Sequence, residues 1–425
     1  MSALQEHVGV GDSPTQPEVR LGRPRAGSRG TRRGAREAAQ RGRRRQRRKI
    51  IRRVAAVALI GLLVPTVWSY YRAVSAPGTD PVSARSVEWL KDHGMTGVVN
   101  AVEHWWYTHN PPPVGGRPKH GLPHAQALGG AAHAKRAGPT AVVPAHLPSP
   151  TKMEPLVTAP LAGEGVWTPT GRTVAGLPAV YTTYFRPDAA HTSLVASAMW
   201  MDTKLLNTVL VPGIQEPGGP NPWGGQIPLA QRAALVAAFN SGFKAADSRG
   251  GYYNFGQMVH PLVPGAASFV IDTAGKPNVG AWGRDFVMGP TIAAVRQNLS
   301  LLVDNGQLEP GLATDSNTKW GGTVGNNVFV WRSGVGIDAH GAVIYVAGPG
   351  LSVLSLGILL QRAGAVRAME LDINSEWVSA YTYQQTDPTS PFAVNGVKLL
   401  PTMERAEDRY LVPGERDFFA LFAAH

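Results

Sequence analysis

Residues 54–71 run for 18 positions without a charge, and a cluster of 16 Lys and Arg between Arg20 and Arg53 ends directly in front of them. A helix crossing a hydrocarbon core of ~30 Å needs about 20 predominantly apolar residues. Trp68, Tyr70 and Tyr71 close the run, where amphipathic rings favour the water–lipid boundary. The pattern predicts one transmembrane helix over residues 54–73. The positive-inside rule then places the N-terminus in the cytoplasm and the C-terminal part outside the plasma membrane. Pro65 is tolerated in a spanning helix as a kink. Val74-Ser75-Ala76 also fits a signal-peptide cleavage site, but the 53 residues in front and the length of the apolar run favour an uncleaved anchor. On either reading the rest of the chain is exported.

The formal charge of +12 is unevenly placed. The stretch from Arg20 to Arg53 holds a single acid, Glu37, and a net of +15, whereas the remainder has 25 bases against 28 acids. The basicity therefore belongs to a tail, residues 1–53. That tail is expected to be disordered and to meet anionic lipids. It has no interleaved aromatics and no readable fold, so no nucleic-acid partner is expected. The absence of cysteine excludes disulfides, thiolate metal sites and a cysteine nucleophile. Arg outnumbers Lys 31 to 10 amid abundant Ala, Gly and Pro, a bias suited to a GC-rich bacterial genome of the actinobacterial kind.

Residues 74–110 follow as a juxtamembrane helical segment. Val87, Leu90, Val98, Val102 and the pair Trp105-Trp106 supply apolar positions, and Gly94 and Gly97 interrupt them. The Trp pair can rest on the bilayer or pack on the domain, and the size of the rings favours burial. Residues 111–151 are rich in Pro, Gly, Ala and His and read as a linker. His120, His124, His133 and His146 lie in it without the companions a metal site needs.

From residue 152 to 425 the texture is that of a folded extracytoplasmic domain. Short β-rich runs recur between turn signals, as at residues 179–185, 194–201, 268–272 and 328–331. Asp304-Asn305-Gly306 and Asp338-Ala-His-Gly341 are hairpin candidates. Ser352 is a plausible N-cap for a helix whose Val353, Leu356, Leu359 and Leu360 share a face and which Gly364 ends; a strand over 366–373 follows. The fold class is α+β, mainly antiparallel sheet with a few covering helices.

No P-loop, dinucleotide fingerprint, zincin motif or nucleophile elbow is present. Polar residues at strand ends remain. Asn240 ends an apolar run, followed by Ser241 and by Gly242, which allows a sharp bend. Arg332 interrupts a hydrophobic strand and must find an anion. Glu370 and Asp372 close the strand after the helix, where alternation puts them on one face and permits a carboxylate pair with one pKa raised. Asn374 and Glu376 lie just beyond. Asp315-Ser-Asn-Thr-Lys-Trp320 is a polar loop whose Trp can stack on a sugar or fill the core. Asp202, Asp272, Asp285 and Asp315 offer oxygens to a divalent cation, but no loop has the required spacing, so no cofactor is expected.

Taken in order, Asn240-Ser-Gly-Phe243, Arg332-Ser-Gly-Val-Gly-Ile-Asp338, the Leu-rich helix, Gly364-Ala365 and Leu371-Asp372 resemble the phosphodiester glycosidase family. The family's Gly-rich run after the Asp is here Ile373-Asn374-Ser375-Glu376, and the first Gly of its Asn-Gly-Gly motif is Ser241. The resemblance implies cleavage of a sugar-1-phosphodiester in an envelope glycan. Asp372 would be the catalytic carboxylate, Arg332 the cation for phosphate, Asn240 the partner of a sugar hydroxyl and Glu370 a second acid. Glu376, Asn374, Gly242 and Trp320 would line the substrate. The alternative from the same residues is a non-catalytic protein that binds an envelope polysaccharide or partner, with a structural Arg332 ion pair to Asp372 or Asp338.

Overall fold

The helix built on the apolar run is longer than the run. In the computed structural model, which describes residues 29–76, 81–125, 145–314, 318–320, 329–387 and 389–424, α1 spans Arg29–Val74. The basic stretch from Arg29 is thus helical rather than disordered. Arg, Ala, Gln and Glu are good helix formers, and no Pro separates them from the apolar turns that follow. Within α1, Glu37–Val74 is long and apolar enough to cross a membrane. The chain divides into one unit ending at Ser69 and a second beginning at Tyr70.

The juxtamembrane segment is two helices, α2 (Val82–Leu90) and α3 (Thr96–His109), joined by a distorted turn over Lys91–Met95. Gly94 adopts φ 81° there, which breaks the helix at one of the two expected positions. Trp105 and Trp106 are exposed rather than packed on the domain.

Eighteen strands follow among the described residues. They begin with β1 (Thr168–Val174), β2 (Leu177–Phe185), β3 (Ala196–Met201), β4 (Leu206–Val211) and β5 (Leu235–Asn240). After a four-residue helix α4 (Ala245–Ser248) come β6 (Tyr252–Asn254), β7 (Gln257–His260), β8 (Ala267–Asp272), β9 (Pro277–Ala281) and β10 (Ile292–Gln297). Next are β11 (Leu301–Asp304), β12 (Gln307–Leu308), β13 (Val330–Asp338) and β14 (Val343–Leu351). Helix α5 (Val353–Arg362) leads into β15 (Ala365–Glu370), β16 (Ala380–Asp387), β17 (Ser390–Lys398) and β18 (Phe418–Ala423).

They form three antiparallel sheets, ordered β1-β2-β3-β14-β13-β15-β11-β12, β7-β6-β10-β8-β9 and β17-β16-β5-β18-β4. Both expected hairpins are present: Asn305 and Gly306 take positive φ between β11 and β12, and Asp338 caps the turn from β13 to β14. Helix α5 begins with a reciprocal capping box between Ser352 and Ser355, and Gly364 at φ 104° ends it.

The eight-stranded sheet is buried on both faces. Leu356, Leu359 and Leu360 of α5 pack with Ile344, Val346 and Trp200 on one side. On the other, Tyr345 meets Phe239, which continues through Phe419 to Phe269. A Cβ at Gly334 of β13 would lie 2.8 Å from Leu360 Cδ1 and 3.0 Å from the Met369 carbonyl oxygen. Glycine there lets α5 sit close to the sheet.

Candidate active site

Four chain segments end at one place: the C-terminus of β5 at Asn240, the start of β13 at Arg332-Ser333, the end of β15 at Glu370 with the loop to β16, and the entry to β18 at Arg416-Asp417. Backbone pairing fixes their register. Ser333 donates its amide to the Asp372 carbonyl (2.9 Å), and Leu371 donates to the Ser333 carbonyl (2.8 Å). Asn240 donates its amide to the Ser379 carbonyl at 3.0 Å.

Asp372 is buried. Its Oδ1 accepts from the amides of Ile373 (2.8 Å) and Asn374 (3.0 Å), and Oδ2 accepts from Arg416 Nη2 (3.1 Å). Burial raises its pKa above the ordinary carboxylate value; the Arg416 charge opposes that rise, and the Glu88 charge adds to it. Arg416 also donates Nη2 to the Gly242 carbonyl (3.0 Å), and its guanidinium lies 5.1 Å from the Trp377 ring centroid. Arg416 Nε is buried with no hydrogen-bond partner among the described residues. Sequence reading passed over Arg416, although the run Glu415-Arg416-Asp417 before the apolar β18 is the same signal that singled out Arg332: a cation where a hydrophobic strand begins.

Arg332 is held inside the fold. Its Nη1 donates to Glu370 Oε1 at 2.6 Å and its Nε to the Leu351 carbonyl at 2.9 Å. The carboxylate it pairs with is therefore Glu370, in place of the expected Asp372 or Asp338. Glu370 is fully buried, and its Oε2 has no partner among the described residues. Desolvation pushes its pKa to about 7 against the pull of Arg332, with the Asp372 charge contributing in the same direction as burial. The two carboxylates of one strand end thus interact, as alternation predicts.

Asn240 uses all its side-chain capacity internally. Its Nδ2 donates to the Ser241 carbonyl (2.8 Å) and Ser333 Oγ (3.0 Å), while Oδ1 accepts from Tyr345 Oη (2.7 Å) and the Ser379 amide (3.1 Å). It orders the site rather than presenting a free group to a sugar. Ser333 Oγ completes the link by donating to the Asp372 carbonyl and accepting from the Asp372 amide. Asn298, also unforeseen, donates to the carbonyls of Glu370 and Leu371 and accepts from the Phe243 amide. A Cβ at Gly242 would come within 2.8 Å of Asn298 Cγ, so the glycine is explained by this close approach.

Asn374 closes a turn by accepting the Glu376 amide at 2.9 Å. Glu376 is half-buried, and its carbonyl accepts from Arg405 Nε (2.7 Å) and Arg409 Nη1 (2.9 Å). Trp320 is in the core, donating its indole N–H to the Leu301 carbonyl (2.9 Å), so it offers no face to a sugar. Asp315 lies outside the described residues.

Helix α2 covers part of the site through a set of ion pairs. Lys244 is largely buried and paired with Glu88 and with Asp92 (3.4 Å). Burial lowers its pKa, but the two carboxylates prevail and raise it overall. Arg85 lies 3.9 Å from Glu415, and a buried Arg296–Asp417 pair (2.8 Å) secures the residue next to Arg416.

The arrangement is a buried carboxylate with a partly uncommitted guanidinium against it, carried on strand ends. A sequence comparison recognises the segment that builds most of it. Residues 233–372 match the phosphodiester glycosidase family. That span takes in Asn240, Arg332, Glu370 and Asp372 of the phosphodiester glycosidase-like domain and stops short of Trp377 and Arg416. No curated protein matches the chain in sequence. Among solved structures, the catalytic domain of zebrafish N-acetylglucosamine-1-phosphodiester alpha-N-acetylglucosaminidase is similar at 12% identity, over 59% of this chain and 85% of that one, with a TM-score of 0.36. A hypothetical protein from Synechocystis is similar at 12% identity over 60% and 64% of the two chains, with a TM-score of 0.35.

Proposed function

We propose that the domain is a membrane-anchored, extracytoplasmic hydrolase that cleaves sugar-1-phosphodiesters, with phosphate-linked envelope glycans as substrates. The observation that carries this reading is Asp372, the last residue of the segment that matches the phosphodiester glycosidase family, buried against Arg416. Cleavage breaks the bond between the anomeric carbon and the bridging phosphate oxygen. Water adds to that carbon, giving a free sugar and a phosphate monoester, and the water's proton passes to a base. A phosphate leaves readily, so the chief demand falls on charge: a carboxylate for the oxocarbenium-like centre and a cation for the departing oxygens.

Asp372 supplies the carboxylate, aimed by Arg416 and by two backbone amides, all of which favour its ionised form against the effect of burial. Arg416 supplies the cation, and its Nε, which has no hydrogen-bond partner among the described residues, is the donor left for a phosphate oxygen. Arg332, the cation expected from sequence, instead anchors Glu370. Glu370 sets the potential at Asp372 by carrying a proton over part of the neutral range. Asn240 and Ser333 hold the strand ends in register.

The replacement of the family's Gly-rich run by Ile373-Asn374-Ser375-Glu376 favours a second reading, glycan binding without turnover. The two separate when the full-length protein in detergent is given a panel of sugar-1-phosphodiesters and native wall fragments. Turnover that Asp372→Asn abolishes in a folded protein supports the hydrolase. Binding without turnover, unchanged in Asp372→Asn, would select the binding protein.

A further inference from the structure

The end of α1 is clamped to α2. The Tyr70 ring meets Trp89 edge-on at 5.3 Å, and Tyr70 Oη shares a hydrogen bond of 2.9 Å with Ser86 Oγ. Arg85 Nη1 donates to the Val74 carbonyl at 3.0 Å and also to that of Ala76. These contacts join the last turn of α1, from Tyr70 on, to α2.

Helix α3 has two unlike faces. Val99, Glu103 and Tyr107 turn toward the domain: Val99 is buried, burial raises the Tyr107 pKa, and Glu103 pairs with Lys91 at 3.4 Å. On the adjoining stripe Val98, Val102, Trp105 and Trp106 are each more than half exposed. Positions 98, 102, 105 and 109 fall on one helical stripe, flanked by Met95 and Trp106. No Asp, Glu, Lys or Arg interrupts it. In water such a face is costly, whereas two indoles with valines between them suit the layer between headgroups and acyl chains.

We propose that this face of α3 is seated in the interfacial layer of the same bilayer that α1 crosses. The proposal rests on the anchor reading of α1. Its partner is the lipid surface, reached through apolar and indole contact, in distinction from the electrostatic contact of the Arg-rich stretch.

The chain has no cysteine, so single nitroxide labels can be placed without background. Val98→Cys and Val102→Cys test the face, Leu59→Cys reports the apolar run, and Val287→Cys on an exposed loop reports water. Each full-length variant is labelled in nanodiscs of phosphatidylethanolamine and phosphatidylglycerol, and collision with lipid-soluble oxygen is compared with collision with an aqueous nickel chelate. Labels at 98 and 102 should favour oxygen several-fold, as at 59, while 287 favours nickel. Nickel access at 98 and 102 with 59 still in lipid would overturn the seating and leave the anchor standing. Nickel access at 59 as well would overturn both. Low access to both reagents at 98 and 102, with spin–spin broadening, would assign the face to a second copy of the chain and overturn the proposal.

Discussion

Asp372 and Arg416 make unequal demands on substitution. Asp372→Asn keeps the shape and one oxygen to accept the Ile373 and Asn374 amides but removes the charge and the oxygen that accepts from Arg416, so turnover of a sugar-1-phosphodiester should fall ~10²–10⁴-fold while circular dichroism stays near wild type. Arg416→Met should raise KM roughly 10- to 100-fold through lost charge-assisted bonds. It should also move the acid limb of the pH–rate profile to higher pH. Burial already raises the Asp372 pKa and Arg416 is what opposes it, so ionisation of Asp372 then requires more alkaline solution. An unshifted limb would mean that Asp372 is not the titrating group. Residue identities were unevenly legible in the sequence. Arg332, Glu370 and Asp372 stood out because charge inside an apolar run always needs an explanation. Arg416, Ser333 and Asn298 did not, because their significance comes from partners 39 to 93 positions away that only the fold brings near. Asn240 is legible as a strand terminus, but three of the four bonds that turn it inward are tertiary.

At the scale of elements, local signals served well. The capping box of α5, the Asn-Gly turn and the Asp338 hairpin are written in adjacent residues, and each is present. What adjacent residues do not encode is which surface an element meets, and so neither the exposed Trp pair nor the cover that α2 forms over Lys244 is legible in the sequence. That cover has a kinetic consequence. Glu88 and Asp92 neutralise Lys244 beside Arg416, so a Glu88→Gln, Asp92→Asn double variant should lower KM for an anionic substrate several-fold with kcat little changed. An unchanged KM would place Lys244 outside the substrate's path. The β13–α5 contact makes a second prediction. Gly334→Ala introduces a methyl group against Leu360 and the Met369 carbonyl and should cost about 1–3 kcal/mol in chemical denaturation.

The whole molecule carries a pH signature from one buried group. The Glu370 pKa rises from an ordinary 4.5 to about 7 in the folded protein, so folding takes up a proton between those values. Its contribution to stability is present below about pH 4.5 and is lost as pH rises through about 7. Denaturation midpoints of wild type minus Glu370→Gln should therefore fall across pH 5 to 8; a flat difference would show that the carboxylate is ionised throughout. On the proposed function the bond broken is the glycosidic one. Hydrolysis by the full-length protein in ¹⁸O-labelled water decides this most directly. Label is expected in the hydroxyl at the sugar's anomeric carbon and none in the phosphate monoester. Label in the phosphate, or no hydrolysis of any sugar-1-phosphodiester by the folded protein, would contradict it.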